Sequence, residues 1–531
     1  MRPTTSTKPS TAFISSRPLL TFVCVLVTLV PRIYAANAAD WRTRSIYQII
    51  TDRFARSDGS TSAPCNTTAA QYCGGSFQGI IGQLDYIQGM GFDAIWISPI
   101  VENIGGDGLA GQSYHGFWSK DINAINSNFG TSDDLKELSQ KLHSRGMYLM
   151  VDIVTNNMAY RGPGQKTDYS QFTPFNDEQY FHKFCYVSNY SNDTNAEVCW
   201  LGGDDLSLPD LNTESDVVQK IFNQWGQDLI SNYSIDGFRA DAAKHVQRSF
   251  WTNFVPAVDT YIVGEVYDGD AYRICDYMAS DALPAVLNYG TYWTMVYSLA
   301  YTDGQNLVNM AEQYNNVSQT CLDATLLGTF MENQDVTRFA NIAQKDAARA
   351  RNVISMTMLT DGIPIIYYGA EQGFAGSGDP QNREAMWVSK YDTSAPLYQT
   401  IKTLNVVRQA FKNVTVGSNW SPYWVWKSKC IYSDTNVAAF RKGYDVSVVT
   451  VVQNLGSNGK NLGPFTFSDT NFSEGDELLE VHSCTNQPAG QYGNINVTLS
   501  KGEPQVCFRS FSGLVSLSLS LFPLFEPDLG G

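Results

Sequence analysis

Positive charge is scarce in this chain. Its 531 residues carry 36 Lys and Arg against 52 Asp and Glu, a formal net charge of −16 and a pI near 4.7. Nucleic acid is bound through Lys and Arg that neutralise phosphates, so this balance excludes it as a partner. Bilayer-length apolar runs are missing too: the N-terminal run from Pro18 to Val30 is too short to span a membrane comfortably. There is no internal repeat and no low-complexity linker.

What is present is a globular composition, 43% hydrophobic and 13% aromatic, long enough for one barrel plus a smaller domain. Arg2, Lys8 and Arg17 precede the apolar run, and small residues from Ala35 to Ala39 follow it. This reads as a secretory signal peptide over residues 1–38, removed before Asp40. Nine of the ten cysteines lie beyond it, and Cys65/Cys73, Cys185/Cys199 and Cys275/Cys321 form close or loop-bounded pairs suited to an oxidising compartment. Cys484 with Cys507 would make a fourth disulfide and leave Cys430 free. Nine Asn-x-Ser/Thr sequons, the first at Asn66 and the last at Asn496, fit a glycosylated exterior. The apolar, serine-laced tail at 511–531 resembles part of a GPI-attachment signal with almost no polar spacer. The chain is therefore expected to be secreted or held at the cell surface, with a GPI anchor as its one link to a membrane.

Between about 39 and 415, short β-branched runs alternate with longer helical stretches. Ala94–Ser98, Met147–Val154, Gly237–Asp241, Ile262–Glu265 and Ile363–Tyr367 read as buried strands, and 133–144 and 217–233 as helices. The spacing predicts parallel βα units closed into a (β/α)8 barrel whose site lies at the C-terminal mouth. Period is lost over 155–215, which reads as a loop insertion (domain B). Alternating runs from 416 to 510 predict a C-terminal antiparallel β domain.

Chemistry concentrates in three segments: Asp236-Gly-Phe-Arg-Ala-Asp241, Gly264-Glu-Val-Tyr-Asp268 and Phe330-Met-Glu-Asn-Gln-Asp335. Residues two apart on a strand face the same way, so Arg239 and Asp241 project together, and the guanidinium is expected to keep Asp241 ionised. Glu265 follows 24 residues after Asp241, one βα step, and is expected on the adjacent strand end facing it. Two carboxyl groups about 5–5.5 Å apart are what a retaining glycosidase uses, one as nucleophile and one as acid.

These segments, with Ser45-Ile-Tyr, Thr51-Asp-Arg-Phe-Ala-Arg56, Leu84-Asp-Tyr-Ile-Gln-Gly-Met-Gly-Phe92, Tyr114-His-Gly116 and Ser207-Leu-Pro-Asp-Leu211, resemble the fungal α-amylases of the α-amylase glycoside hydrolase family. The resemblance implies that Asp241 is the nucleophile, Glu265 the general acid/base and Asp335 the carboxylate that holds the sugar hydroxyls in the transition state. It places His115, Trp118, Arg239, Lys244, His245, Gly269, Asp379 and Arg383 against substrate, with Phe117 where a tyrosine is usual. It also implies a structural Ca²⁺ held by Asn156, Glu197, Asp210 and the main-chain carbonyl of His245, all hard oxygen donors.

Two positions depart from the pattern. Asn157 and Gln334 stand where hydrolytic members carry histidines, and an amide donates a hydrogen bond but is never cationic. Tyr267 replaces a common aliphatic residue two positions past the acid, where a ring could stack on an acceptor sugar. The paired amides resemble a wall-associated fungal subgroup that acts mainly as 4-α-glucanotransferases and is linked to cell-wall α-glucan. The leading expectation is retaining cleavage of α-1,4-glucan or maltooligosaccharides with strong transfer to sugar acceptors, by a monomer. The alternative is an ordinary secreted, calcium-dependent α-amylase, and a non-catalytic carbohydrate-binding protein stands third.

Overall fold

The computed structural model describes residues 36–509, apart from 302–303, 305, 412–422, 445–446 and 484, together with Met1. The expected signal segment, except for its last residues, and the apolar tail lie outside the described residues. No described helix is long and apolar enough to cross a membrane.

Eight parallel strands form the central sheet: β1 Ile46–Ile49, β2 Ala94–Ile97, β3 Tyr148–Val154, β4 Gly237–Asp241, β5 Tyr261–Gly264, β6 Ala285–Val286, β7 Gly328–Phe330 and β8 Ile363–Tyr367. They neighbour one another in chain order, β8 pairs with both β1 and β7, and a single parallel bridge between Leu287 and Gly328 joins the ends. The result is a (β/α)8 barrel. β1, β2 and β8 are buried at every position, which is why they read as continuous apolar runs instead of alternating ones. Helices such as Ser132–His143, opened by a Thr131/Asp134 capping box, and Asp216–Tyr233 lay apolar stripes on the barrel wall.

The insertion between β3 and β4 is built from short 3-10 turns, the helix Asp193–Val198 and a two-residue hairpin, stapled by Cys185–Cys199. Past the barrel, six antiparallel strands form a sheet in the order 429–433, 437–442, 448–453, 505–509, 477–480, 485–488. Its alternation sends Ala438, Phe440, Val452 and Phe508 into the core shared with the barrel, and Val437, Ala439, Val451 and Cys507 into a separate small core with Phe467 and Ile495. This is the expected C-terminal β domain.

Three disulfides form as the spacing predicts: Cys65–Cys73, Cys185–Cys199 and Cys275–Cys321. The fourth expected pair, Cys484–Cys507, is not borne out. Cys507 is a free thiol, fully buried between its sheet neighbours, and Cys430 is also free; Cys484 itself lies outside the described residues. Burial pushes the Cys507 thiol up to about 12, so it is packed as a small apolar group.

Candidate active site

The three loaded segments converge at the C-terminal ends of β4, β5 and β7, where an α/β barrel assembles its site. Parallel pairing sets Arg239 beside Val263 and Ala240 beside Gly264, so Asp241 and Glu265 occupy the next matched positions on adjacent strands. One fully buried guanidinium ties them together. Arg239 Nη1 lies 2.6 Å from Asp241 Oδ1, and its Nη2 lies 2.8 Å from Glu265 Oε1. A third carboxylate shares it: Asp152 on β3, the register partner of Arg239, holds Nη1 at 2.9 Å and accepts Trp96 Nε1–H at 3.1 Å. The side chains of Asp241 and Glu265 keep 19% and 12% exposure toward the mouth, whereas Asp152 keeps 1%. Two of the three carboxylates are thus open to a ligand.

Negative charge outnumbers positive charge here, and protons are held accordingly. Burial and the Glu265 charge push Asp241 up to about 6 against the lowering pull of Arg239. The expectation that Arg239 sets its ionisation is corrected: the guanidinium lowers it, but desolvation outweighs that pull. Asp335 is pushed up to about 7 by burial and by Glu265, opposed by Arg383 and Arg239. Asp335 sits just past β7, its backbone N–H donating to Asn333 Oδ1 at 2.8 Å, and Arg383 Nη2 stands 3.5 Å from Oδ1. Glu265 Oε2 accepts the Ala242 N–H at 3.1 Å, and the Tyr289 hydroxyl stands 3.5 Å from Oε1.

Most of the remaining expected residues line the same mouth. His115 accepts the Phe117 N–H at Nδ1, 3.0 Å, which places its proton on Nε2; burial and the charges of Arg383 and Arg53 hold it neutral. Its ring packs edge-on against Trp118 at 4.5 Å and stacks on Phe117 at 5.7 Å. Arg383 also pairs with Asp379 at 3.1 Å. Lys244 is drawn to Asp268 at 2.9 Å. A Cβ on Gly269 would meet the Trp293 ring at 3.2 Å, tight enough that the ring would have to shift by a few tenths of an ångström. Tyr267, 45% exposed, rests edge-on against Trp293 and tilted on the buried Tyr289 at 4.7 Å.

The two amides are both buried. Asn157 donates to the Met158 carbonyl at 3.1 Å and accepts from Asn156 Nδ2 at 3.3 Å, and its backbone bridges Asp210. Gln334 accepts at Oε1 from Gln48 Nε2, while its main-chain carbonyl accepts from Asn382 Nδ2 at 2.9 Å and Arg383 Nε at 3.1 Å.

Among the described residues no cluster of three His, Cys, Asp or Glu side chains is set to hold a metal. The expected calcium set contributes only two carboxylates, and its environment still fits a hard cation. Asp210 Oδ1 is buried without a hydrogen-bond partner among the described residues. Burial pushes Asp210 up to about 7 and also raises Glu197. The helix that carries Glu197 abuts the His245 segment through Ala196 O and His245 Nδ1 at 2.9 Å. His182 lies 2.6 Å from the other Asp210 oxygen; burial opposes its charge, yet Asp210 and Glu214 raise it to about 9.

Asp152 and Gln48 touch site residues, Arg239 and Gln334, yet the sequence pattern does not single them out. Asp152 ends the run Met-Val-Asp on a strand predicted correctly, and its one signal is that it falls in register with Arg239. For Gln48 the signal is a lone polar residue inside the apolar β1 run.

Comparison with known proteins follows the same outline. A family model described as the α-amylase catalytic domain matches residues 48–415, and one described as α-amylase domain C matches 430–514. α-Amylase 2 of Schwanniomyces occidentalis is 48% identical over 473 residues, covering 89% of this chain and 91% of that protein. The α-amylase of Saccharomycopsis fibuligera is 46% identical over 480 residues, covering 90% and 94%. Among solved structures, an α-amylase from Malbranchea cinnamomea matches with a TM-score of 0.84 at 44% identity, covering 89% of this chain and 98% of that one.

Proposed function

Because the chain belongs to the α-amylase family, we propose that it cleaves α-1,4-glucosidic bonds in starch-type glucans and maltooligosaccharides with retention of configuration. The observation that carries this reading is Arg239 binding Asp241 and Glu265 from one buried guanidinium, with both carboxyls open to the mouth. Asp241 attacks the anomeric carbon as Glu265 gives its proton to the departing glycosidic oxygen, leaving a glycosyl ester on Asp241. Having given up its proton to the leaving oxygen, Glu265 is left as the base for the second step. Glu265 then takes the proton of the incoming hydroxyl, whose oxygen displaces Asp241. Asp335, protonated below about 7, donates to or accepts from the sugar hydroxyls, and His115 offers them a neutral Nε2–H.

The incoming hydroxyl belongs to water in an ordinary α-amylase, and the relatives that carry that name support hydrolysis. A second reading, transfer to a sugar as in the wall-associated 4-α-glucanotransferases, is favoured by Asn157 and Gln334. Neutral donors there forgo charge-assisted bonds of about 1.5–3 kcal/mol each, while Tyr267 offers an exposed ring to an acceptor sugar. The deciding experiment is product analysis on a single maltooligosaccharide. New reducing ends without longer products mean hydrolysis; oligomers longer than the substrate mean transfer; binding without turnover means that the cleavage reading fails.

A calcium ion held by Asn156, Glu197, Asp210 and the His245 carbonyl is part of the proposal, supported by the orphaned Asp210 oxygen. It would neutralise the buried carboxylates and cross-link the insertion to the loop after β4. The proposed division is a catalytic barrel at 39–415 with its insertion at 155–215, followed by the β domain at 416–510. The three disulfides support an extracellular protein.

A further inference from the structure

We propose that Gln48 is the positioning residue for Gln334, and that the two buried amides together, not Gln334 alone, set how the mouth presents a hydrogen-bond donor to the sugar. The inference deepens the reading above and rests on it only for the identity of the sugar.

Gln48 lies on β1 and is 2% exposed, with neighbours Trp96 on β2 and Tyr367 on β8 in register. Its Nε2–H donates to Gln334 Oε1. Gln334, 1% exposed, precedes Asp335 directly, and its main-chain carbonyl is already taken by Asn382 and Arg383. Both oxygens of Gln334 are therefore committed. Its Nε2 makes no hydrogen bond to the described residues, and it is also absent from the buried side-chain polar atoms that lack a partner, so it is the one side-chain polar group of Gln334 left to meet a ligand.

An amide whose oxygen is tied can present only its NH₂. Without the Gln48 donor, Gln334 could rotate by half a turn about its last bond, and an acceptor would face the sugar as readily as a donor. A rotating amide also spends part of its time in the wrong orientation, which weakens binding in the transition state. Gln48 touches no substrate in this account; it acts through Gln334. A buried glutamine with its own Oε1 unpaired is costly to keep on an otherwise apolar strand, and its presence makes sense if the amide pair is what the strand must supply.

The test is a double-mutant cycle in the full-length protein on a defined maltooligosaccharide, read as kcat/KM, the ratio of transfer to hydrolysis, and the melting temperature. Gln48→Met keeps the shape and removes the donor. It is expected to lower kcat/KM about tenfold, the size of one net hydrogen bond, and to shift the ratio. In a Gln334→Ala background the same change is expected to do nothing further to either quantity. Gln48→Glu, when ionised, supplies an acceptor in place of the donor, so it should turn the Gln334 amide round and change the ratio, with a loss of melting temperature because the carboxylate is buried. Additive effects of Gln48→Met and Gln334→Ala on kcat/KM would overturn the proposal. So would a Gln48→Met protein that loses melting temperature while its ratio and kcat/KM stay at the wild-type values. If wild type makes no longer oligomers, the transfer reading fails, yet the cycle in kcat/KM for hydrolysis still decides the role of Gln48.

Discussion

The barrel mouth and the seam between barrel and β domain both bury cations, with opposite outcomes. At the seam Lys442 meets Asp361 at 2.8 Å, each side chain 4% exposed, and both oxygens of Asp361 also accept from the Ser428 N–H, at 2.8 and 2.9 Å. One charge meets one charge there. At the mouth a single Arg239 serves Asp152, Asp241 and Glu265, and Asp335 adds to the field. The balanced pair can only hold two domains together, because neither group has an open face. The unbalanced cluster must hold protons and leaves two carboxyls open to the mouth, which is what acid–base and nucleophilic work requires.

The largest expected contrast is kinetic. Asp241→Asn and Glu265→Gln should each remove turnover by at least about 10²–10⁴-fold while the melting temperature at neutral pH holds or rises. A purified Asp241→Asn protein that keeps a substantial fraction of activity would show that the nucleophile lies elsewhere. Lys442→Met should do the reverse, lowering stability by about 3–5 kcal/mol because Asp361 is left buried and unpaired. Chemical denaturation checks that, and the transfer-to-hydrolysis ratio should stay put.

Thorough chelation should come next, lowering the melting temperature by removing an ion that binds only the folded chain, about 2.7 kcal/mol at a free concentration one hundred times Kd. An unchanged melting temperature would count against the Asp210 site. Asn157→His with Gln334→His should raise hydrolysis relative to transfer, measured as new reducing ends against longer oligomers, and Tyr267→Leu should reduce transfer alone.

The smallest effect is one of pH. Asp335 is held at about 7 in the fold and near 3.9 unfolded, so the fold binds the extra proton between those values. Its stabilising contribution is full below about 4 and is lost as pH rises through 7. Asp335→Asn should therefore gain melting temperature over wild type at pH 8 and lose that advantage near pH 4.

How much of this is legible from residues alone follows from geometry. Five of the eight barrel strands announce themselves as short buried runs between longer helical stretches, whereas β1, β6 and β7, of four, two and three residues, do not. Arg239, Asp241 and Glu265 can be placed because two-residue and one-strand spacings fix direction. Asp152 and Gln48 cannot, since strands buried on both faces give no alternation from which to tell which side chains point into the barrel. The direction of the Asp241 shift reads wrongly from sequence because spacing shows Arg239 and Glu265 beside it but not the desolvation that outweighs the guanidinium. Cys507 falls into an apolar layer between sheet neighbours, where a thiol packs without a disulfide, and spacing does not distinguish that from a bridged cysteine.

The most direct test of the unbalanced cluster is the anomeric configuration of the first product released from a maltooligosaccharide, followed by proton NMR before mutarotation. Two carboxyls on one guanidinium, acting as nucleophile and acid/base, should release the α-anomer. First appearance of the β-anomer would contradict the account, because it would mean direct attack by water with no glycosyl ester on Asp241.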